Sequence, residues 1–397
     1  MRNSCSAAVT AFLSIGYVGS AMAQAQVSGN AFNPAISVIL NGKYTHYSED
    51  PANYALTGFP LGEEAGLASE GFALDETELV ISANVDDKYY GSVTAALVQE
   101  DGETAIEIEE AFIETLALPQ GLKLKAGKFL ADIGYLNPVH AHAWDFADAP
   151  LAYTALLNQS YSDTGVQLRW VAPTILFFEI GGELLRGDAF PAAGAANQGT
   201  GTANLFARFG GDLAAGSSWR AGISRLDAEA NNRLSTFAAG NLMFTGTSDI
   251  WAADFVWKWA KNGNARDRSV VIQAEYLSRE ESGDIAVELF SGDNESGTYT
   301  GNQNGFYIQG VYQYRPRWRV GLRYDRLHAS NTIGISLPNP LDAGSAPKRL
   351  SVMTDFSNSE FSRLRLQFNR DQSRGRTDNQ IFVQYLMSLG AHGAHRF

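Results

Sequence analysis

His140 and His142 stand one residue apart in "NPVHAHAWDFADAP", with Trp144, Asp145 and Asp148 close behind. Imidazole nitrogens and carboxylate oxygens both suit Zn²⁺, so a loop carrying them could hold a cation of that kind. A His-x-His pair in a loop is more often free of metal, and spacing alone leaves the metal assignment open. His392 and His395 make a second short pair at the tail, read the same way. Nucleophilic catalysis finds little support, because six histidines supply few bases and no nucleophile-elbow spacing occurs. The chain is not expected to be an enzyme, and no cofactor is expected.

The other residues able to do chemistry are charges that recur at alternate positions. Glu78, Glu110, Glu114, Glu179 and Glu183 lie in the first half, and Arg317, Arg319, Arg323, Arg363 and Arg365 in the second. Residues 24–200 hold 24 Asp and Glu against 7 Lys and Arg, while residues 201–397 hold 19 against 22. If the two sets line different parts of one wall, they set up a transverse field that orients dipolar solutes and strips water from ions. The plainer reading is that they solvate a wide interior and pair locally. Under the first reading, reversing Arg323 and Arg365 to Glu shifts ion selectivity.

These charges need elements that hold them on one face, and the chain supplies short segments of alternating hydrophobicity. Sixteen are predicted, near 35–47, 76–86, 89–99, 106–118, 122–129, 163–171, 174–186, 202–209, 218–228, 248–260, 269–279, 305–315, 317–328, 349–356, 361–369 and 379–390. In "IWAADFVWKWA" one face carries Trp251, Ala253, Phe255, Trp257 and Trp259, and the other carries Asp254 and Lys258. In "RWRVGLRYDRL" the apolar set is Trp318, Val320, Leu322 and Tyr324. A period of two places such sets on opposite sides of a strand.

Odd-numbered links are mostly long (48–75, 130–162, 187–201, 229–247, 280–304 and 329–348), whereas even-numbered links are mostly tight turns such as "LPQG" and "YRPR". A soluble sandwich has no reason to collect its long loops at one end. An outer-membrane barrel does, with short turns in the periplasm and long loops outside. The expected fold is therefore all-β: a transmembrane antiparallel up-and-down β-barrel of about sixteen strands with periplasmic termini, lipid outside and water inside. Closure leaves no unpaired edge in the hydrocarbon. Tyr89, Tyr90, Trp170, Trp219, Tyr314 and Trp318, near strand ends, suit interfacial girdles. Small inward residues, Gly91, Gly165, Gly222, Gly310 and Gly321, favour an open lumen over a packed one.

The first 23 residues have the layout of a cleaved signal peptide: Arg2, a short apolar run, then Ala21 and Ala23. The apolar run is too short to span a bilayer. A short periplasmic segment, 24–34, is expected to precede the barrel at 35–397. The only cysteine, Cys5, leaves with the signal, so no disulfide framework is expected. The whole chain carries −13, which becomes −14 when Arg2 is removed. That balance argues against nucleic-acid binding.

The stretch "EEAFIETLALPQGLKLKAGKFLADIGYLN", residues 109–137, resembles the strand-turn-strand and following loop of the phosphate-selective porin family and of related zinc-regulated outer-membrane proteins. The terminal Phe397 resembles the signal that barrel-assembly machinery reads in Gram-negative porins. The resemblance implies a passive diffusion channel for small hydrophilic solutes or ions in the outer membrane, in contact with its lipid. The first strand starts too early for the N-terminal plug of an energy-coupled receptor. Sixteen-stranded porins are commonly homotrimers, and their third outward loop often narrows the pore. The loop at 130–162, with His140, His142, Trp144, Asp145 and Asp148, is by resemblance the candidate constriction. The alternative is a barrel plugged by its loops and acting in zinc binding and uptake or in adhesion.

Overall fold

The computed structural model of the 397-residue chain describes residues 34–100, 103–193, 199–342 and 344–390. The signal peptide, most of the segment at 24–34, His392, His395 and Phe397 lie outside the described residues. Sixteen strands follow in chain order among them: β1 (Ala35–Tyr47), β2 in two pieces (Gly71–Leu74 and Thr77–Asn84), β3 (Tyr89–Glu100), β4 (Glu103–Thr115), β5 (Leu122–Leu130), β6 (Ser162–Val171), β7 (Phe177–Leu185) and β8 (Thr202–Ala214). The second half continues with β9 (Ser217–Phe237), β10 (Gly240–Ala260), β11 (Ser269–Leu289), β12 (Asn294–Arg315), β13 (Trp318–Ile333), β14 (Lys348–Ser359), β15 (Ser362–Asp371) and β16 (Asp378–Gly390). Each strand pairs antiparallel with its sequence neighbours, and β1 closes on β16 from Ser37↔Gly390 to Tyr47↔Gln380.

Alternation decides which face sees lipid. On β15, Leu364, Leu366 and Phe368 are 47%, 51% and 44% exposed, while Arg365, Gln367 and Asn369 between them are buried. The same inversion of greasy and polar faces recurs on β10, where Trp251 and Phe255 point out and Asp254 points in. Tyr89, Trp170, Trp219, Tyr314 and Trp318 all lie within a few residues of the short turns, so they gather at one end of the barrel. Leu366 sits midway along β15. Leu366→Arg is expected to cost about 2–4 kcal/mol, the penalty for a cation on the lipid face near the midplane. Equilibrium refolding into lipid vesicles checks it, and a cost below about 1 kcal/mol would mean this face does not meet lipid.

Two of the predicted long loops, 229–247 and 280–304, are mostly strand. β9 and β10 run to Phe237 and from Gly240, while β11 and β12 run to Leu289 and from Asn294. These extensions carry Asn231, Asn232, Gly246, Gly283 and Asn302, so alternation fades there while the hydrogen-bond ladder continues. Beyond the lipid both strand faces can meet water, and a period of two is no longer required.

The barrel interior at mid-height is filled with protein. Residues 131–161, between β5 and β6, turn inward and include the short helix α1 (Leu151–Leu157), all of whose residues are buried. An all-round apolar helix belongs in a core. Ile133, Leu136, Leu151, Tyr153 and Leu156 pack against Leu226, Ile250, Leu277, Tyr307 and Leu327 of the wall, with Leu56 and Phe59 of the first outward loop. Full burial of each such Leu or Ile is worth ~1.5–3 kcal/mol.

Candidate functional site

The inserted segment is held at three places, each by a differently charged part of the wall. At its entry, Asp132 accepts from Arg208 Nη2 at 2.5 Å and from Gln167 at 2.9 Å, and its main-chain N–H donates to Glu183 at 2.9 Å. Two residues on, Gly134 has φ 66°, and a Cβ there would lie 2.4 Å from Glu275 Oε2. Glycine is what lets the main chain approach that carboxylate. Glu275 then accepts the N–H groups of Tyr135 (2.7 Å) and Leu136 (3.1 Å), the hydroxyls of Tyr153 (2.8 Å) and Tyr307, and the Gln273 amide. Asn137 ties the ends of the segment together, donating to the carbonyls of Ala131 and Tyr161 and accepting from Tyr161 N–H.

The middle of the segment carries the two histidines to the acidic wall. Glu78 of β2 lies 2.5 Å from His142 Nδ1 and 3.6 Å from His140 Nδ1. Glu110 and Glu109 of β4 lie 2.9 Å and 3.2 Å from the two ring nitrogens of His140. Neighbouring residues of a strand normally face opposite ways, yet Glu109 and Glu110 both reach His140. The reason is a bulge: the β3–β4 register slips between Thr94↔Glu110 and Ala95↔Ile108, leaving Glu109 as the extra residue. A second slip separates the two pieces of β2, from Gly42↔Leu74 to Ile39↔Glu78, and places Glu76 beside the same cluster. Bulges re-aim side chains in this way.

The far end of the segment meets the basic wall. Arg363 donates to the His142 carbonyl at 2.7 Å, Arg365 to the Trp144 carbonyl at 2.8 Å, and Arg319 to Asp145 at 2.8 Å. Asp148 accepts from Arg323 at 2.6 Å and from Gln367 and Asn369 at 2.7 Å each, and pairs with Arg349 at 3.0 Å. Trp144 itself packs into the core and donates its indole N–H to the Val139 carbonyl. The charged groups of the wall thus divide the work by sign. Carboxylates receive N–H groups and imidazoles, and guanidiniums receive carbonyls and aspartates.

Glu78, Glu110, Arg319, Arg323, Arg363 and Arg365 therefore all contact the inserted segment. Glu114 and Glu179 pair instead with wall cations: Glu114 with Lys123 and Arg169, and Glu179 with Arg208. Arg317 sits apart from the wall, exposed in the tight turn between β12 and β13 at φ 72°. Sequence alone does not single out Glu275, Arg208 and Arg349, although they share the inward parity of their strands. Glu109 lay beyond parity arguments, because the bulge reverses its side.

Burial would raise the Asp148 carboxyl, but Arg323, Arg349 and Gln367 hold it far below the ordinary carboxylate range. Asp132 is likewise pulled down to about 2 by Arg208, against burial. At His140 burial would lower the value, and Glu109, Glu110 and Glu78 overcome it and raise it well above the ordinary imidazole value. Carboxylates depressed on docking stabilise the docked segment at every pH above their ordinary ~3.9. That contribution is lost as pH falls through the docked-state values. Residues 135–157 are thus expected to stay protected from hydrogen exchange at pH 5 and to loosen near pH 2. Loss of protection already at pH 5 would contradict the clamp.

No family model matches the chain. In fold it is similar to a loop-deletion mutant of OmpT, an outer membrane protein of Vibrio cholerae, with a TM-score of 0.55 and 11% identity over 91% of this chain and 100% of that one. The anion-selective porin from Comamonas acidovorans gives a TM-score of 0.53 at 8% identity, over 90% of this chain and 99% of the porin. The outer membrane channel DcaP of Acinetobacter baumannii gives 0.52 at 11%, over 90% and 97%. These likenesses place the chain in the porin-type barrel fold of Gram-negative outer membranes. By sequence, 30% identity over 404 residues, spanning 93% of this chain and 81% of its relative, the chain belongs to one family with a protein of Aquifex aeolicus strain VF5 described as "Uncharacterized protein".

Proposed function

We propose that this chain is an outer-membrane channel that passes small hydrophilic ions passively and is closed down by the inserted segment 131–161. The observation that carries the reading is how the insert is held. Beyond the rung between its own ends, where Ala131 N–H donates to the Tyr161 carbonyl, its main chain forms no ladder with the barrel strands, so it can shift without opening the wall. A constriction fastened to a charged cylinder by side chains, and not woven into its ladder, suits a gated or highly restrictive pore.

Selectivity in this reading comes from the mouth at the short-turn end. There Lys123 and Arg220 have side chains 27% exposed, whereas the acids beside them, Glu114 and Asp254, are buried. Water at that mouth meets cations, which favours entry of anions. Reversing Arg323 and Arg365, the substitution suggested by charge alone, would act mainly on the insert, since both are buried against it. Lys123→Glu with Arg220→Glu is the cleaner test. In planar bilayers under a salt gradient the wild type is expected to prefer anions, and the double variant to shift toward cations. Absence of any conductance, in both the wild type and a variant lacking the insert, would overturn the channel reading.

A further inference from the structure

We infer that the seam between the inserted segment and the acidic wall is a binding site for one divalent transition cation, with His140, His142 and Glu78 as its core ligands. One ligand atom from each of these three lies within 4.8 Å of the others. The imidazole rings stack with centroids 5.6 Å apart and planes 25° from parallel, and both turn Nδ1 toward Glu78. Tetrahedral ligands at ~2.0–2.2 Å from a metal stand roughly 3.3 Å from one another, so side-chain rotation suffices to close the site. Glu109 and Glu110 stand ready to complete it.

Charge points the same way. At Asp132, Glu281 and Asp355 a buried carboxylate of the lumen faces a guanidinium. Here Glu109 and Glu110 form their ion pairs with a single imidazole, His140, and Glu76 lies alongside. Several carboxylates gathered in a low-dielectric wall are costly unless positive charge is added. A dication supplies it, and mixed imidazole and carboxylate donors suit Zn²⁺ and its neighbours better than Ca²⁺ or Mg²⁺.

A third observation is independent of the cluster's composition. His140 Nδ1 and Glu109 Oε2 are buried and face each other at 3.2 Å without hydrogen-bond geometry, and Glu76 Oε2 is buried with no hydrogen bond. Beside them is a cavity of about 10 Å³ lined by Glu76, Glu109, His140, Trp144, Gln159 and Ser160. That is room for one water-sized occupant, as an ion or its remaining aqua ligand would be. The bulge at Glu109 delivers to this level of the wall an acid that a regular β4 would have sent to the lipid face.

The site rests on this geometry and not on transport, so it is tested by binding. The full chain in detergent, stripped with chelator, is titrated with Zn²⁺ by calorimetry and with Co²⁺ by visible absorption. About one equivalent is expected to bind, with cobalt bands of a four- or five-coordinate site. His140→Ala with His142→Ala is expected to weaken binding at least tenfold, as are Glu78→Gln and Glu109→Gln made singly. His46→Ala, at an exposed histidine paired only with Glu70, leaves binding unchanged. Heat-modifiable gel mobility confirms that each variant is a folded barrel, and the Glu109→Gln arm stands if the histidine variant is not. Failure of the wild type to bind either metal, or equal binding by the folded variants, overturns the site.

Discussion

Replacing residues 139–157 with a short glycine-serine linker turns a low-conductance barrel into a wide pore, with single-channel conductance raised about tenfold or more. The wall does not depend on the insert for its closure: sixteen strands pair around the circle, including β1 with β16. A barrel of that strand number leaves an aqueous channel when nothing fills it. The linker keeps Ala131, Asn137 and Tyr161, whose mutual hydrogen bonds already bring the segment's ends together. Arg323, Arg349 and Arg365 lose their partners on Asp148 and the segment's carbonyls, but water enters with the deletion. They are therefore hydrated rather than left as unpaired charges in a dry interior, where the penalty would run to ~3–5 kcal/mol. The lost apolar contacts of α1 lower stability, and heat-modifiable mobility reports whether the barrel survives. A folded variant that conducts no better than the wild type would mean that other loops close the pore, the one at 48–70 with Leu56 and Phe59 being the nearest.

The barrel was legible in the sequence because lipid enforces a strict rule. On β15 or β13 each outward position must be apolar, so alternation identifies strand and facing together. The rule lapses where lipid ends, and for that reason the outer halves of β9 to β12 look like loops in the sequence. The site was legible in part. His140, His142, Asp145 and Asp148 stand out by residue type, and Arg323 and Arg365 by parity. What they touch was not legible, because the contacts join residues 30 to 221 positions apart through an insert whose path no local pattern encodes. Nor did the excess of small inward residues signal an open lumen. Gly305 and Gly321 leave room that Ala152 and Phe146 of the insert occupy. Small wall residues can accommodate a plug as readily as they line a pore.

Glu275→Ala is expected to unfasten the insert more than any other single substitution, raising the ratio of open to closed channels about a hundredfold. The carboxylate is 2% exposed and accepts from three separate bodies. Tyr135 and Leu136 belong to the segment's entry, Tyr153 to α1, and Gln273 and Tyr307 to the wall. Truncation strands all of these donors at once, at ~1–3 kcal/mol for each that finds no water. Some are rehydrated through the gap, so a net loss of about 3 kcal/mol in docking is a fair expectation, and each ~1.4 kcal/mol is tenfold in the equilibrium between closed and open states. The ladder of β11 is made by main-chain groups and is untouched, so the barrel itself persists. Glu275→Gln keeps the volume but presents an amide to a ring of donors, and should give an intermediate effect. The double variant Glu275→Ala with Tyr153→Phe separates the hydrogen bond from loosening of the core. If the insert is fastened through this carboxylate, the two substitutions are non-additive by ~0.5–3 kcal/mol, and strict additivity would mean that α1 is held by its apolar contacts alone.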